Sequence, residues 1–377
     1  MSSFRQSDQD VSSIRDVTEG EWNDIGRDHR TVYSTHQWLS FVEASMPPAS
    51  FHYLLSRDSR GRLIAGLPLS WSEDEKNLNY ASEYLTFDSP PGGLLVAGPR
   101  RGYANDLAAN GGADAGVEYL DELLSRASEV AAANGLTCVL VPYLSAKDAA
   151  TVHRMRPDSQ VKLLDCNMTL EIPESTDMTA FAATLGGRRA YSIRKEIGRF
   201  DSSRLVSSIE SLGDSFEEVG PLVSNVQRKH GSDESPAACV ASLRVQAQFL
   251  DQEGLVFTAR AEGKLVACAL YYVWNQVLYG RMFGLDYDSL EGADEYFNTY
   301  YYQPIEYGIS RGYRAVEFGR RSETAKLRRG AHGVTRWAVQ IGGPGPMQQW
   351  RRTNTELYTS MVDGGLIRPS EEDRLFI

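Results

Sequence analysis

The stretch LYGRMFGLDYDSLEGADEYFNTYYYQPIEYGISRGYRAVEFGRRSETAKLRRGAHG, residues 278–333, decides the fold of this chain. Its periodicities predict a strand, a loop, an aromatic helix from about Ala293 to Arg311, the strand Ala315–Phe318 and then a cationic loop. Pro304 lies inside the helical pattern and is expected to kink it, because proline donates no backbone hydrogen bond. Strands that alternate with helices in this way are typical of a mixed α/β fold.

The segments before this stretch extend the same pattern. Helical spacing of apolar residues predicts three helices, the first of them rich in arginine, at 181–200, 213–228 and 237–250. Residues 255–286 read as a meander of three strands, with turns at Glu262-Gly263 and Asn275-Gln276. The second half of the chain is therefore predicted to combine these helices with a mixed sheet.

The first half repeats this order. A strand that begins Gly-Arg-Leu-Ile-Ala at Gly61 corresponds to Gly-Lys-Leu-Val-Ala at Gly263, and each follows a strand and a turn. Such matches predict an internal duplication of one mixed α/β unit. We expect an N-terminal domain, a C-terminal domain that carries the functional site, and a helical tail that packs on either half, at residues 1–165, 166–343 and 344–377.

Composition excludes several classes of protein. The four cysteines form no C-x-x-C pair and the six histidines show no ligand spacing, so core thiols and no metal site are expected. A polar N-terminus and the lack of any apolar run of about 18 residues predict a cytoplasmic protein without a membrane span. The net charge of −11 disfavours broad nucleic-acid binding, although positive charge is concentrated at 188–199 and 311–336.

Four segments of the second half resemble the FemAB-like branch of the GNAT acyltransferase superfamily. They are the hairpin GKLVACALYYVWNQVLYGRMFG, the segment EYFNTYYYQPIEYGISRGYRAVEFG, the helix LGGRRAYSIRKEIGRF and the loop ETAKLRRG. Together with the duplication, the resemblance extends over roughly residues 30–345. It implies two tandem GNAT-like mixed-sheet domains in one chain, followed by the short C-terminal tail.

The resemblance also implies a function. Enzymes of this kind move an acyl or aminoacyl group onto an amine and so form an amide bond. Their donors are acyl-CoA or aminoacyl-tRNA, so one of these is expected as co-substrate, with no tightly bound cofactor. The expected acceptor is an amine of a small molecule or a peptide, such as a peptidoglycan precursor, and tRNA is a partner if it carries the donor group.

The sequence departs from the family pattern at two places. Simple GNAT enzymes bind the CoA pyrophosphate on a glycine-rich turn before a helix, where backbone N–H groups and the helix dipole face the anion. The corresponding turn here is expected to repel a pyrophosphate, because it has one glycine, Gly292, and five acids: Asp286, Asp288, Glu291, Asp294 and Glu295. In addition, Tyr296 and Asn298 stand where close relatives usually carry His and Glu.

Two groups of cations are candidate binding residues. The arginine helix would hold the phosphates of a carrier through Arg188, Arg189, Arg194 and Lys195. In the loop after the strand 315–318, Lys326 would hold a phosphate or polarise the acyl carbonyl, and the candidate carrier contacts are Arg320 and Arg329. The alternative for both groups is an ordinary solvated surface.

The remaining candidates lie in the strands and the aromatic helix. Glu317 interrupts an apolar strand, so it is either paired with a nearby arginine or acts as base toward the acceptor amine. One hydroxyl of the tyrosine cluster, for which Tyr301 is the candidate, would act as general acid or oxyanion donor. Three further residues are candidate substrate contacts: Arg281, Asp286 and Asn298. The alternatives are that Arg281 pairs with Glu317, that Asp286 caps the loop and that Asn298 lies on a helix face.

The mechanism expected from these residues is direct transfer in a ternary complex. No G-x-S-x-G motif or other nucleophile arrangement favours a covalent intermediate. The amine would lose a proton and attack the carbonyl, while backbone N–H groups at a splayed strand stabilise the oxyanion. Two alternatives stay open: a non-catalytic, degenerate GNAT protein that binds or scaffolds, and an ordinary acyl-CoA N-acyltransferase. The oligomeric state is not predicted.

Overall fold

The computed structural model describes residues 10–46, 49–72, 75, 77–88, 90, 93–109, 116–343 and 347–377. Most of the predicted polar N-terminus lies outside the described residues. The chain divides into two compact units, of which the first comprises Met1–Cys166 with Val334–Ile377 and the second comprises Asn167–Gly333. The C-terminal segment, which the sequence left open between the two halves, is therefore part of the first unit.

Strands and helices alternate along the described chain. The strands are β1 (Ser50–Arg57), β2 (Leu63–Trp71), β3 (Leu94–Ala97), β4 (Ala108–Ala109), β5 (Cys138–Leu144), β6 (Gln160–Glu171), β7 (Val206–Glu210), β8 (Gly254–Ala261), β9 (Lys264–Trp274), β10 (Val277–Leu285), β11 (Ala315–Glu317) and β12 (His332–Ile341). The helices are α1 (Glu19–Asp24), α2 (His36–Ser45), α3 (Ser82–Leu85), α4 (Val117–Ala133), α5 (Ala146–Met155), α6 (Met178–Thr184), α7 (Gly187–Asp201), α8 (Leu212–Lys229), α9 (Pro236–Leu250), α10 (Glu295–Phe297), α11 (Gln303–Arg311), α12 (Glu323–Arg328) and α13 (Met347–Asp363). The mixed α/β class is confirmed.

The first unit is built around the strand order β1-β2-β3-β5-β12, in which β3 is parallel to β5 and the other neighbours are antiparallel. The β1–β2 hairpin turns where the sequence predicted, because the Asp58 carboxylate accepts the backbone N–H groups of Arg60 and Arg62. Helix α4 covers these strands with its apolar face, since three of its leucines are buried: Leu120, Leu123 and Leu124.

The second unit has the strand order β6-β11-β10-β9-β8-β7, in which β10 and β11 are parallel. The meander β8–β10 is confirmed. Both of its turns have positive φ at two successive residues, Glu262-Gly263 and Asn275-Gln276, which is the geometry of tight hairpin turns. Strand β7 at the edge was not predicted, because its sequence VSSIE is short and largely exposed and so lacks a clear alternation.

Two predicted helices are interrupted. The predicted helix 181–200 is split into α6 and α7 at Gly186, whose φ of +88° lies outside the helical region. The predicted aromatic helix consists of α10, a π-helical turn at Asn298–Tyr302, and α11. Pro304 lies at the start of α11, directly after the wider turn, where its missing N–H is tolerated. The expected kink therefore takes the form of a π turn.

The core of the second unit joins α7 to the meander. Phe200 at the end of α7 packs with Val226 of α8, and the cluster continues through Val266 and Leu285 to the loop before α10. This packing holds α7 and the aromatic segment in one apolar cluster. No helix in the part of the chain that the structure describes has the length and apolar character needed to cross a bilayer.

Candidate functional site

The cationic helix, α7, is amphipathic. Its buried face consists of Ala190, Ile193 and Phe200. Its exposed face carries four of the predicted carrier-binding side chains: Arg188, Arg189, Arg194 and Lys195. Among the described residues, none of these four side chains has a hydrogen bond or an ion pair. The positive charge of this face is therefore available to an anionic ligand.

Arg329, by contrast, is buried in an aromatic cage and only 4% exposed. Its guanidinium carbon lies 3.9 Å from the ring centre of Phe297, 4.7 Å from that of Tyr301 and 5.2 Å from that of Tyr302. One of its terminal nitrogens donates to the Glu196 carboxylate at 2.6 Å. The structure thus places this predicted carrier contact inside the second unit, where its charge is already balanced.

Glu196 connects the cationic helix to the aromatic segment, Glu295–Tyr302. Its carboxylate accepts hydrogen bonds from Arg329 and from the Tyr302 hydroxyl. Its backbone carbonyl accepts from the Asn298 amide at 3.3 Å, and the same amide donates to the Asp294 carbonyl at 3.0 Å. Asn298, a predicted substrate contact, is buried in these contacts. The helix that carries the free cations, α7, is therefore attached to the π turn.

The tyrosine hydroxyls of the π turn are hydrogen-bonded. Tyr300 donates to the Phe318 carbonyl at 3.0 Å, and the Tyr300 carbonyl accepts from Tyr271 at 2.5 Å. Tyr301 is fully buried and its hydroxyl lies 3.0 Å from that of Tyr296. Burial raises the pKa of Tyr301 well above its ordinary value, so this hydroxyl is protonated at neutral pH. It can donate a hydrogen bond but cannot act as a base there.

The loop after β11 has an unusual backbone. Gly319, Arg321 and Ser322 all have positive φ, at +65°, +62° and +54°. A non-glycine residue in this region costs about 1–3 kcal/mol, and such strain often lies at functional sites. Lys326 ties the loop together, because its ammonium donates to the carbonyls of Gly319 at 3.1 Å and Arg320 at 2.8 Å. The structure buries Lys326, which is only 2% exposed, while Arg320 is half-buried in the loop itself.

Glu317 lies at the end of β11 and is buried. Its Oε1 accepts a hydrogen bond from the Asn167 amide at 3.1 Å. The sequence gave no indication of Asn167, which lies 150 positions away along the chain. An arginine as a further partner of Glu317 stays a prediction. The Asn167 amide thus anchors one oxygen of this carboxylate, at the edge of the strained loop.

A bulge in β10 lies beside this strand end. The pairing of β10 with β9 shifts between Gly280 and Met282, so Arg281 is the extra residue, and bulges commonly redirect a side chain at a site. Arg281 Nε donates to the Gln246 side chain at 3.4 Å. A Cβ at Gly280 would lie 3.1 Å from the Tyr300 hydroxyl. The bulge and the π turn are therefore packed closely at Gly280, where a larger residue would require its neighbours to shift.

The acidic turn before α10 is partly neutralised by cations of other segments. Asp286 pairs with Lys264 at 2.7 Å, and the hydrogen bond from this lysine lowers the pKa of the carboxyl. Two further acids of the turn pair with cations of neighbouring segments: Glu291 with Arg204 at 2.5 Å, and Asp294 with Arg199 at 2.6 Å. The charge of this turn is thus smaller than the sequence indicated, which weakens the expected repulsion of a pyrophosphate.

A shallow groove lies on the outer side of the same turn. Its volume is about 330 Å³, and it is lined by Asn225, Arg228, Asp286, Tyr287 and Asp288. Asp286 thus reaches a solvent-filled space, although its carboxylate is already paired. The groove offers both signs of charge and no deep apolar surface.

Sequence reasoning missed Glu196, which organises the site. A signal was present, because an acid at this position falls beside the apolar face of an amphipathic helix, where a buried ion pair is expected. The sequence could not identify its partner, since Arg329 lies 133 positions further along the chain. Gln246 and Asn167 gave no comparable signal.

The chain matches the model of the FemAB-like family, described as peptidoglycan biosynthesis/recognition, over residues 105–349. This confirms the resemblance that the motifs of the second half predicted. No curated protein matches the sequence.

Several solved structures share the fold. FemX is similar over 92% of this chain and 99% of its own, with 10% identity and a TM-score of 0.59. The C-terminal domain of a putative lysylphosphatidylglycerol synthetase from Agrobacterium fabrum is similar over 86% of this chain and 92% of its own, with 12% identity and a TM-score of 0.53. A conserved protein from Bacteroides thetaiotaomicron is similar over 78% and 86%, with 14% identity and a TM-score of 0.52. The predicted mixed α/β fold class is confirmed.

Proposed function

Because the chain belongs to the FemAB-like family, we propose that it is a transferase that moves an acyl or aminoacyl group from a carrier onto an amine and forms an amide bond. Family membership and the shared fold support the transferase class. The donor, the acceptor and the catalytic residues are parts of the proposal.

One arrangement carries the proposal. Four free cations face solvent on α7, and Glu196 fixes this helix to the aromatic segment and to Arg329. A carrier whose phosphates bind the exposed face would be held at a constant distance from the π turn. Enzymes that act mainly by positioning need such rigid attachment, because small displacements of the reactants reduce the rate strongly.

The candidate chemistry needs no covalent intermediate. The acceptor nitrogen attacks the acyl carbonyl, a new N–C bond forms, and the bond between the acyl carbon and the carrier breaks. Glu317 is the candidate to accept the amine proton, and the leaving group of the carrier takes up a proton. Tyr301, held protonated by burial, is the candidate donor to the oxyanion. In this arrangement Lys326 positions the strained loop, and its ammonium is not a direct substrate contact.

The donor is proposed to be a large anionic carrier such as aminoacyl-tRNA in preference to free acyl-CoA. The acidic turn lacks the glycine-rich pattern that cradles a pyrophosphate, although its carboxylates are largely paired. The acceptor is proposed to be the amine of a peptide or small molecule, in line with the peptidoglycan description of the family. A cytoplasmic location is part of the same proposal.

A donor screen tests the proposal. The full chain is incubated with an amine library and with acetyl-CoA, longer acyl-CoAs or a charged tRNA pool, and amide products are read by mass spectrometry. Glu317→Gln keeps the size and the acceptor oxygen of the side chain, so loss of product with retained stability would support a role as base. Lys326→Ala is a poor control for chemistry, because that lysine is a structural contact of the loop. If no amide product forms with any of the donors, the proposal is contradicted.

A second candidate is a non-catalytic binding protein. The observation that favours it is that Tyr301 and Lys326 are buried and engaged by protein groups. Binding of charged tRNA or CoA without product, at equal affinity for the wild type and Glu317→Gln, would favour this reading.

A further inference from the structure

Tyr191 lies on the exposed face of the cationic helix and is 62% exposed. Three cations lie three or four residues from this tyrosine, the spacings that bring side chains together on a helix. They are Arg188 on one side and Arg194 and Lys195 on the other. Among the described residues, none of these three cations has a side-chain partner. The ring is therefore surrounded by unpaired positive charge.

This face differs from an ordinary solvated helix. It has no acidic residue between 188 and 195, although the chain carries 50 acids and a net charge of −11. Glu196, the next acid, is turned inward to Arg329. Single exposed aromatic residues are common and need no explanation. A tyrosine set among three free cations has instead the composition of surfaces that bind single-stranded nucleic acid, where bases stack on rings and cations track the phosphates.

The geometry favours a polymer. Arg188 and Lys195 are seven residues apart, which is about 10 Å along the helix axis. A span of this length exceeds the size of one phosphate group, so the two cations would contact different phosphates of one chain. Bases in a duplex are stacked within the helix and are not available to a ring on the protein surface.

A membrane surface is a poorer fit. A helix that binds a bilayer places its apolar face in the lipid. The apolar face of α7 is already buried within the second unit, through Ala190, Ile193 and Phe200. Only the polar, cationic side and one tyrosine remain for a ligand.

We infer that Tyr191 is a stacking platform for an unpaired base and that Arg188, Arg194 and Lys195 bind the adjacent phosphates of a single-stranded RNA end. This inference rests on the proposed function and deepens it, because it assigns the carrier to the nucleic-acid class. It adds a binding residue, Tyr191, that neither the motifs nor the family match singles out.

The test measures binding of a fluorescent 12-nucleotide single-stranded RNA to the full chain by anisotropy. Tyr191→Ala should weaken binding roughly 5- to 150-fold, the loss expected for one stacked base, and Tyr191→Phe should restore it. Arg188→Ala should lower the slope of log K against log salt by about 0.7. Arg244→Ala, an exposed arginine on another helix, is the matched control and should change neither quantity.

Parallel samples contain RNA duplex, CoA and vesicles of anionic phospholipid. Equal affinity of the wild type and Tyr191→Ala for the single strand overturns the inference, as does tighter binding of duplex, CoA or vesicles through the same residues. If Tyr191-dependent RNA binding is absent but the chain still transfers an acyl group from acyl-CoA, the inference fails and the proposed function stands. Tyr191-dependent RNA binding with no transfer from any donor would support the inference while the proposed function failed.

Discussion

The cations of α7 and those around α12 look alike in sequence but have opposite environments. Arg188, Arg194 and Lys195 are exposed without partners in the described part of the chain, whereas Lys326 and Arg329 are buried and hydrogen-bonded. A cation that is buried among rings and carbonyls holds the fold together, and one that stays solvated can exchange water for a ligand. The comparison shows that a basic motif locates positive charge, and that burial decides whether this charge stabilises the fold or is available to a ligand.

The largest expected effect is on Arg329. Arg329→Ala removes the cation from its cage and leaves the Glu196 carboxylate without its partner. We expect a loss of about 3 to 5 kcal/mol in the free energy of unfolding, since breaking a buried pair leaves an uncompensated charge. Urea denaturation measures it. Arg188→Ala on the exposed face is the control, and equal stability of the two variants would remove the distinction between the two groups.

A smaller effect is expected at Lys326. Lys326→Met keeps the apolar stem and removes the ammonium that donates to the Gly319 and Arg320 carbonyls. The expected loss is about 2 kcal/mol, the range for hydrogen bonds to a charged group. Thermal and urea unfolding check it, with the exposed neighbour Arg328→Met as control. A stability within about 0.5 kcal/mol of wild type would show that the lysine is not needed to hold the strained loop.

The pairing of Asp286 with Lys264 predicts a weak pH dependence. The pKa of this carboxyl is lowered in the folded state, so its stabilising contribution is complete above its unfolded pKa and is lost as the pH falls through the folded value. The contribution should stay below about 1 kcal/mol, because Lys264 is largely exposed and screened. The stability difference between wild type and Asp286→Asn should therefore shrink below about pH 4.

Measurement of that difference by urea titration from pH 7 to pH 3 checks the prediction. Asp288→Asn serves as control, because its carboxylate has no ion pair among the described residues. A difference that grows toward low pH would contradict the assigned sign.

The smallest effect on stability is expected at the free cations. The double variant Arg188→Ala, Arg194→Ala should unfold within about 0.5 kcal/mol of wild type, as exposed substitutions usually do. Its KM or Kd for the donor should nevertheless rise, because two phosphate contacts are lost. If this variant were strongly destabilised instead, the exposed face would be a structural surface, and the comparison would fail.

Local pattern was enough for most of the fold. The hairpin turns at Asp58 and at Asn275-Gln276 carry their own turn chemistry, and the apolar spacing of α4 needs no distant partner. The break at Gly186 and the edge strand β7 were missed, because a helical pattern continues across the glycine and β7 is too polar to be recognised. Propensity alone did not decide either element.

The candidate site was predictable in composition but not in geometry. The sequence identified the cations, Glu317 and the tyrosines as candidates. It could not show that Arg329 and Lys326 are buried, because their environment is created by Glu196 and by a loop with three positive φ values. These contacts join segments that are far apart in sequence, and a single sequence does not show which distant residues are in contact.

The discontinuous first unit has a consequence for synthesis on the ribosome. Strand β5 pairs with β12, yet the second unit, Asn167–Gly333, is made in between. At about 5–20 residues per second, its 167 residues (333 − 166) delay this pairing by roughly 8 to 33 seconds. During that time the edge of β5 is an open template for foreign strands. Aggregation through this edge is avoided if a chaperone covers it, or if the second unit folds early enough for β12 to pair with β5.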